Sequence, residues 1–346
     1  MLTAAPASSM RTHTFRQRLL RLGLAVGSGL VGLLAVELLL ALVGYSYSPL
    51  RIRVQGQSDW RIYHIFEQAS FVYDPALLWR PRRGTGIFNG QGYRGRELPA
   101  TREAGSCRIL AVGDSNTLGW DGPGGPNWPA YLEEVLSLRG AGCTVVNAGV
   151  WGYSSFQGVR RLERAMVLLP DLVLVSFGGN DAHRVTRSDA DFARRRSTAW
   201  ELRVERVLLR SRVGQLLIGT WDGLRQPQGE RLVPRVDLPG YEGHLREMIR
   251  LARAGGAGIV LLTRPFVGES SDPTWWKRFA PAYNAATREV ARDAGVPVID
   301  LYEDFADKPD LFHDESHFNE AGHRAAARIV AETIVPILQA RRGRSP

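Results

Sequence analysis

The chain has few of the residues on which disulfide-rich folds, zinc sites and lysine-rich nucleic-acid surfaces depend. Its 346 residues include two cysteines, Cys107 and Cys143, which excludes a disulfide-dense scaffold and a cysteine-rich zinc site. It has two lysines, so nearly all of its 44 basic residues are arginines, and these are spread along the chain rather than gathered in one patch. The formal charge of +9 therefore suits a solvated surface or a domain near an anionic membrane. We expect no nucleic-acid partner.

Motifs for cofactors are also missing. The histidines lack the mutual spacing of metal ligands, and no glycine-rich phosphate or dinucleotide loop follows a predicted strand. We therefore expect a protein that needs neither a metal nor an organic cofactor. What the chain does have is apolar residues, at 44% of the total, enough for a sizeable core.

The longest apolar run covers residues 22–45, which hold no Lys or Arg and a single acid, Glu37. As a helix it would be about 36 Å long, enough for a hydrocarbon core of about 30 Å. Arginines without acids precede it at positions 11, 16, 18 and 21. This asymmetry predicts a cytoplasmic segment 1–21, a single-pass anchor at 22–45 and a periplasmic remainder. A cleaved signal peptide is the alternative, although its apolar region is usually shorter.

Glu37 has two interpretations. It marks a partner for the membrane helix, or it is one acid tolerated in a long apolar span. Residues 46–105, rich in Arg, Gly, Tyr and Pro, are interpreted as a membrane-proximal extension that packs on the main domain.

Residues 106–340 alternate short apolar runs with helical stretches, which predicts a parallel sheet with helices on both faces. In such sheets functional residues collect at the carboxyl ends of the strands. The predicted strands are 107–112, 144–146, 172–177, 258–263 and 296–301. The predicted helices are 128–139, 157–169, 241–254, 283–294 and about 320–340.

Polar motifs follow these strands. Residues 113–115 (Gly-Asp-Ser) follow the first strand, and a loop with Gly152 follows the second. Residues 178–181 (Gly-Gly-Asn-Asp) follow the third, and residues 314–317 (Asp-Glu-Ser-His) lie beyond the fifth. Taken singly, each motif is ordinary turn or helix-cap chemistry, but their order and placement favour one catalytic site.

The residue types suit ester hydrolysis. A serine hydroxyl becomes a nucleophile when a histidine takes its proton, and a carboxylate holds the other imidazole nitrogen. Asp314 and His317 are three residues apart, so one turn can place them side by side. The backbone N–H groups of Ser115 and Gly152 and the amide of Asn180 can donate to an oxyanion.

In this order the four motifs resemble those of the SGNH, or GDSL-type, serine hydrolases, over roughly residues 107–335. The resemblance implies a three-layer α/β/α, flavodoxin-like domain with a five-stranded parallel sheet of order 2-1-3-4-5. It also implies Ser115 as nucleophile, His317 as base and Asp314 as orienting acid. It implies Ser115, Gly152 and Asn180 as oxyanion donors.

Two residues depart from the family pattern, which has Leu where Asn116 stands and often Pro where Phe318 stands. Neither has a catalytic role in the family, so they affect the subfamily and not the chemistry. Residues 71–84 (FVYDPALLWRPRRG) and 88–97 (FNGQGYRGRE) also resemble the lead-in of membrane-anchored bacterial members.

We therefore expect a membrane-anchored, extracytoplasmic serine esterase that cleaves a carboxylic ester through an acyl-enzyme on Ser115. The expected substrate is an ester-bearing small molecule, a lipid or an acylated glycan. Two alternatives stay open. One is an O-acyltransferase, such as an O-acetyltransferase of an envelope polysaccharide, with the same catalytic residues. The other is a non-catalytic domain that binds glycan or a partner.

The strand order also predicts a disulfide. Cys107 lies eight residues before Ser115, and Cys143 lies nine residues before Gly152. If Ser115 and Gly152 donate to the same oxyanion, the two cysteines therefore lie at nearly the same level of two neighbouring strands, at the opposite edge of the sheet. Neighbouring strands lie about 4.7–4.9 Å apart, within the Cα separation that a disulfide accepts. Two buried free thiols are the alternative.

Two further features have more than one interpretation. Residues 200–221 combine arginines at helical spacing with apolar residues. We favour an ordinary packing helix, with a lid or a helix resting on the membrane as alternatives. Arg264, at the end of the fourth strand, is interpreted as half of a structural ion pair rather than as a site for an anionic substrate group.

Overall fold

The computed structural model describes residues 8–47, 70–74, 76–99, 105–119, 125, 127–185, 188–194, 199–224, 232–268 and 276–342. The chain divides into two compact units. One comprises residues 1–50 with 197–228, and the other comprises residues 51–196 with 229–346. Residues 197–228 thus group with the N-terminal helix, although the sequence boundaries place them within the stretch 106–340. Much of the expected extension, including 48–69 and 100–104, lies outside the described residues.

The larger unit is an α/β fold on a five-stranded parallel sheet. In chain order its strands are β1 Phe71–Asp74, β2 Leu78–Pro81, β3 Cys107–Gly113, β4 Cys143–Asn147, β5 Leu172–Ser176, β6 Arg184–Val185, β7 Val233–Pro234, β8 Gly258–Leu262 and β9 Val298–Ile299. The main sheet has the order β4-β3-β5-β8-β9, whereas β1 pairs with β2 and β6 with β7 as antiparallel ribbons. Renumbered within the sheet, this is the expected order 2-1-3-4-5, so the predicted fold class is confirmed.

The helices of both units, in chain order, are α1 Ser8–Leu42, α2 Ser115–Leu118, α3 Trp128–Leu138, α4 Ser155–Ala165, α5 Asp189–Arg194, α6 Ala199–Leu208, α7 Arg212–Leu224, α8 Leu238–Ala254, α9 Ala280–Ala294, α10 Leu301–Phe305 and α11 Glu320–Arg342. Single 3₁₀ turns occur at Met166–Leu168, Trp276–Arg278 and Pro309–Leu311. Helices α3 and α11 pack together on one face of the sheet, and α4, α8 and α9 pack together on the other. This arrangement is the three-layer sandwich that the alternating sequence pattern predicts.

The five expected strands all form, because their apolar residues are buried between the two helical layers. The last strand is much shorter than the predicted 296–301. It stops at Asp300, whose carboxylate accepts the N–H of Glu303 and so caps α10. The predicted helices also form, within a few residues at their ends.

The predicted disulfide is confirmed. Cys107 and Cys143 are register partners at the starts of β3 and β4. They form a disulfide with a Cα–Cα distance of 4.4 Å, closing a sequence separation of 36 residues. The bond therefore joins the two strands whose opposite ends lead into the Ser115 turn and the Gly152 loop.

Residues 70–74 and 76–99 pack against the loops that follow β3 and β4. Arg94 donates to the carbonyl oxygens of Leu118 and Gly119, at 2.9 and 2.8 Å. The hydroxyl of buried Tyr153 donates to the carbonyl of Trp79 at 2.6 Å. This part of the N-terminal extension is thus joined to the edge of the sheet where the four sequence motifs lie.

The smaller unit contains the one candidate membrane span among the described residues, Leu20–Leu42 within α1. Its 23 residues have a mean hydropathy of 2.2, long and apolar enough to cross a bilayer. The expected single helix at 200–221 is instead the pair α6 and α7, since the chain turns at Leu209–Ser211. The Ser211 hydroxyl accepts the N–H of Gly214 at 3.0 Å and caps the second helix of the pair.

Candidate active site

Ser115 lies in a tight turn directly after β3. Gly113 is required there because a Cβ would collide with the Thr117 side chain and lie 2.8 Å from the carbonyl oxygen of Ser176. Asp114 then ends the strand, and its Oδ1 accepts the N–H of Asn116 at 2.9 Å, which caps α2. The turn therefore holds Ser115 at the carboxyl end of the sheet, where parallel sheets place their functional residues.

The loop after α10 brings His317 and Asp314 to this serine. Ser115 Oγ lies 2.8 Å from His317 Nε2, and His317 Nδ1 lies 2.7 Å from Asp314 Oδ2. The other oxygen of Asp314 accepts the N–H groups of Ser316 and His317, at 2.8 and 2.9 Å. With a proton on Nδ1 shared with Asp314, Nε2 is the acceptor for the serine hydroxyl.

The electrostatics keep Asp314 ionised. Partial burial raises the pKa of its carboxyl, but the hydrogen bond and charge of His317 and the two backbone N–H donors outweigh this and hold the pKa well below the usual range. A carboxylate in this position stabilises an imidazolium at His317.

Gly152 and Asn180 lie together beside the serine turn. Gly152 has φ +70°, and a Cβ there would lie 3.2 Å from the Trp79 ring, so the loop needs glycine. Arg235 fixes this loop by donating to the carbonyl oxygen of Gly152 at 2.7 Å. Asn180 Nδ2 donates to the carbonyl oxygen of Tyr153 at 3.0 Å. The structure therefore brings all the residues that the motifs single out to one edge of the sheet.

Arg264 was not assigned to the site, yet it joins the two loops that carry it. Its Nε donates to Asp114 Oδ2 at 2.9 Å, and its Nη1 donates to the carbonyl oxygen of Ser316 at 2.7 Å. Arg264 and Asp114 are both buried, which confirms the structural ion pair. The pair fixes the turn of Ser115 relative to the loop of His317.

Asp181 organises the start of α4 and the loop after β5. Its Oδ1 accepts the N–H and the hydroxyl of Ser155, at 2.9 and 2.5 Å, and its Oδ2 accepts the N–H of Gly178 at 3.1 Å. Burial raises the pKa of this carboxyl to about 6, against the lowering effect of the Ser155 hydrogen bonds. No cluster of metal-ligating side chains occurs among the described residues.

Comparisons with known proteins identify the family of the chain. A family model described as the GDSL-like Lipase/Acylhydrolase family matches residues 111–325, well over half of the chain. The match spans all four motifs. The chain belongs to this GDSL-like family.

The individual relatives of this GDSL-like protein match over shorter stretches. An arylesterase of Vibrio mimicus is 35% identical over 88 residues, which is 25% of this chain and 44% of that protein. The thioesterase 1/protease 1/lysophospholipase L1 of Escherichia coli K12 is 36% identical over 84 residues, covering 24% and 39%. The chain thus spans less than half the length of these curated relatives. The solved lipase/acylhydrolase of Enterococcus faecalis aligns with a TM-score of 0.47 at 20% identity, covering 66% of this chain and 95% of that one.

Two residues that hold the Gly152 loop of this GDSL-like protein, Trp79 and Arg235, lie outside the four sequence motifs. Trp79 Nε1 donates to the carbonyl oxygen of Trp151 at 3.0 Å, and Arg235 pairs with buried Asp189 at 2.9 Å while holding Gly152. Neither belongs to a motif, and both are far in sequence from the loop they hold. The nearest signal for Trp79 is its place in the segment 71–84, which resembles anchored members of the family.

Proposed function

We propose that this GDSL-like protein is a serine esterase that cleaves a carboxylic ester through an acyl-enzyme on Ser115. The observation that carries the proposal is the unbroken hydrogen-bond chain from Ser115 Oγ through His317 to Asp314, with links of 2.8 and 2.7 Å. Membership of a family of lipases and acylhydrolases supports the same reaction class. The names of two relatives, an arylesterase and a thioesterase/lysophospholipase, support an acyl ester or thioester as the substrate type.

Acylation begins when His317 Nε2 takes the hydroxyl proton of Ser115 as Oγ attacks the ester carbonyl carbon. The carbonyl oxygen becomes an oxyanion, to which the N–H groups of Ser115 and Gly152 and the amide of Asn180 donate. Asp314 stabilises the imidazolium that forms. The C–O bond to the alcohol then breaks, and the alcohol leaves with the proton from His317.

Deacylation repeats these steps with water. His317 takes a proton from water, whose oxygen attacks the acyl carbon, and the same donors hold the second oxyanion. Collapse breaks the bond to Ser115 Oγ, which recovers its proton from His317 and releases the free acid. If a sugar hydroxyl replaces water in this step, the product is an acyl-glycan, and the enzyme is an acyltransferase.

Two features support a site outside the cytoplasm. The first is an N-terminal apolar helix preceded by arginines, which the positive-inside rule orients with its N-terminus in the cytoplasm. The second is the Cys107–Cys143 disulfide, because such bonds persist in oxidising compartments. We propose that the catalytic unit is periplasmic and held by an uncleaved single-pass anchor.

Activity is tested with the detergent-purified full chain on short-chain aryl esters and acetylated glycans. We expect release of free acid, and loss of nearly all turnover in Ser115→Ala, whose matched control is the exposed α3 residue in Ser137→Ala. Equal turnover in the two variants would overturn the proposal. If acyl-glycan forms in place of free acid, the protein is an acyltransferase with the same nucleophile.

Orientation is tested with reporters fused after Pro346. An enzyme that is active only outside the cytoplasm should be active in this fusion. Activity of a reporter that works only in the cytoplasm would reverse the proposed topology. The N-terminal sequence of the purified protein separates an anchor, which retains residues 1–45, from a cleaved signal peptide.

A further inference from the structure

The smaller unit contains a contact that a simple membrane anchor does not need. Glu37, inside the apolar span of α1, accepts the backbone N–H groups of Arg212 and Val213, at 2.7 and 2.9 Å. These are the first N–H groups of α7, which have no partner within their own helix. The single acid of the anchor thus caps a helix that is more than 170 residues later in the chain.

Further contacts hold α7 against the end of α1. The N–H of Tyr47 donates to Gln215 Oε1 at 3.1 Å, and the guanidinium of Arg212 donates to the carbonyl oxygen of Tyr45. At Gly219 a Cβ would come within 2.9 Å of the Tyr47 ring. At 100° per residue, positions 212, 215 and 219 share one face of α7, so this face is the one that contacts the end of α1.

The opposite face of α7 is apolar and exposed. Leu217, Trp221 and Leu224 follow one another at helical spacing and are 58%, 56% and 80% exposed. In α6, Trp200 and Val207 are also exposed, two turns apart. Large exposed apolar surfaces of this kind mark contacts with a partner or a membrane.

The position of the pair along the anchor identifies the partner as lipid. Glu37 lies five residues before the end of the span at Leu42, so α7 begins within about 8 Å of that end. Apart from one arginine, one serine and Glu37, the side chains of the span are apolar, and most of them are exposed, so the exposed face of α7 continues a surface suited to lipid. Tyr45, Tyr47 and the two tryptophans are the residue types that favour the membrane–water interface.

We propose that α6 and α7 form an interfacial helix pair, capped by Glu37, whose exposed apolar face is buried in the headgroup region of the bilayer. The inference rests on the membrane anchor of the proposed function but not on its chemistry. The pair belongs to a segment, residues 197–228, that interrupts the sequence of the larger unit. The chain therefore passes between the two units three times, once after α1 and once at each end of this segment. The catalytic unit is then attached to the membrane surface at three points of the chain.

The test uses the full chain with one added cysteine, since both native cysteines are in the disulfide. Leu217→Cys is labelled with an environment-sensitive fluorophore and reconstituted in phosphatidylcholine/phosphatidylglycerol vesicles. The vesicles carry lipids with a spin-label quencher near the headgroup or near the chain end. We expect the label at 217 to lose fluorescence to the shallow quencher and to keep it with the deep one.

Labels at two control positions distinguish a failure of the interfacial pair from a failure of the membrane anchor. A label in Val31→Cys, in the middle of the span Leu20–Leu42, should be quenched by the deep lipid, and one in Leu138→Cys, exposed on α3, should not be quenched at all. If position 31 is quenched and position 217 is not, the interfacial pair is refuted while the anchor stands. If position 31 is not quenched, the anchor itself is refuted.

The role of Glu37 is tested in the same vesicles. Glu37→Ala removes the cap, so α7 should leave the end of α1, and the label at 217 should lose most of its quenching by the shallow lipid. The label at 31 should report the same depth in this variant as in the parent. Unchanged quenching at 217 in Glu37→Ala would refute the cap.

Discussion

Arg264 donates to Asp114 across 2.9 Å in a fully buried ion pair, next to the turn that presents Ser115. A second donor of the same guanidinium reaches the carbonyl oxygen of Ser316, one residue before His317. The serine turn and the histidine loop thus share one buried cation. This link explains how two loops about 200 residues apart hold a hydrogen bond of 2.8 Å between their side chains.

Removal of this cation should destabilise the fold strongly. Arg264→Met leaves Asp114 as a buried, uncompensated charge, which typically costs about 3–5 kcal/mol. The matched control is Arg250→Met, which breaks the exposed pair with Glu247 on α8 and should lower stability far less, because solvent screens that pair. The free energy of unfolding from denaturant titration measures both. Equal losses in the two variants would contradict the structural role of Arg264.

Asp181 should make the protein less stable as the pH rises from about 4 to about 6. The carboxyl has a pKa near 3.9 when unfolded, and burial raises it to about 6 in the fold, so the folded state holds one more proton in this window. The full shift is worth about 3 kcal/mol at 1.36 kcal/mol for each pKa unit, and about 2 kcal/mol of it is lost above pH 4, because the unfolded carboxyl is already about half ionised there.

This slope is measured as a difference between variants. Denaturant titrations of the parent and of Asp181→Asn at pH 4 and pH 7 should show the parent losing about 2 kcal/mol relative to the variant. The exposed Asp307→Asn serves as control and should follow the parent. Parallel pH dependences for the parent and Asp181→Asn would show that the pKa of Asp181 is the same in the folded and unfolded states, which contradicts the prediction.

Asn180 should act on turnover rather than on binding. Asn180→Ala removes one oxyanion donor, and such losses typically lower kcat by about 10²–10³-fold. KM should change little, because the donor binds the oxyanion more strongly than the neutral ester. Steady-state kinetics on one aryl ester separate the two constants. A raised KM with an unchanged kcat would place Asn180 in substrate binding instead.

The disulfide should be present in protein that has been exported from the cytoplasm. Thiol titration of the denatured protein, purified without reductant, should find no free thiol, because Cys107 and Cys143 are bonded. Replacing both by Ser should lower stability by about 3–4 kcal/mol, the loop-closure value for a separation of 36 residues. Two free thiols would remove one of the two arguments for a periplasmic catalytic unit.

The sheet and the candidate site were predictable because both depend on local patterns. Apolar runs define the five strands, and each motif follows directly from the end of an element, as Ser115 does from β3. The disulfide was predictable as well, because the strand order makes Cys107 and Cys143 register partners on β3 and β4. What could be predicted was therefore local pattern combined with one topological rule.

The remaining features depend on contacts between distant parts of the chain. Arg235 donates to the carbonyl oxygen of Gly152, 83 residues earlier in the chain, and the sequence around residue 235 has no pattern that predicts this contact. The turn between α6 and α7 has no Gly or Pro, so residues 200–221 look like one helix until the Ser211 cap and the Glu37 contact break them into two. Propensity carries no information about such tertiary partners.

Covalent trapping of the nucleophile tests the central claim most directly. The full chain is treated with a fluorophosphonate, digested and mapped by mass spectrometry. We predict one adduct, on the peptide that contains Ser115, with much slower labelling in His317→Ala because the base is lost. An unmodified Ser115, or an adduct on another serine at the same rate in Ser115→Ala, would contradict the account.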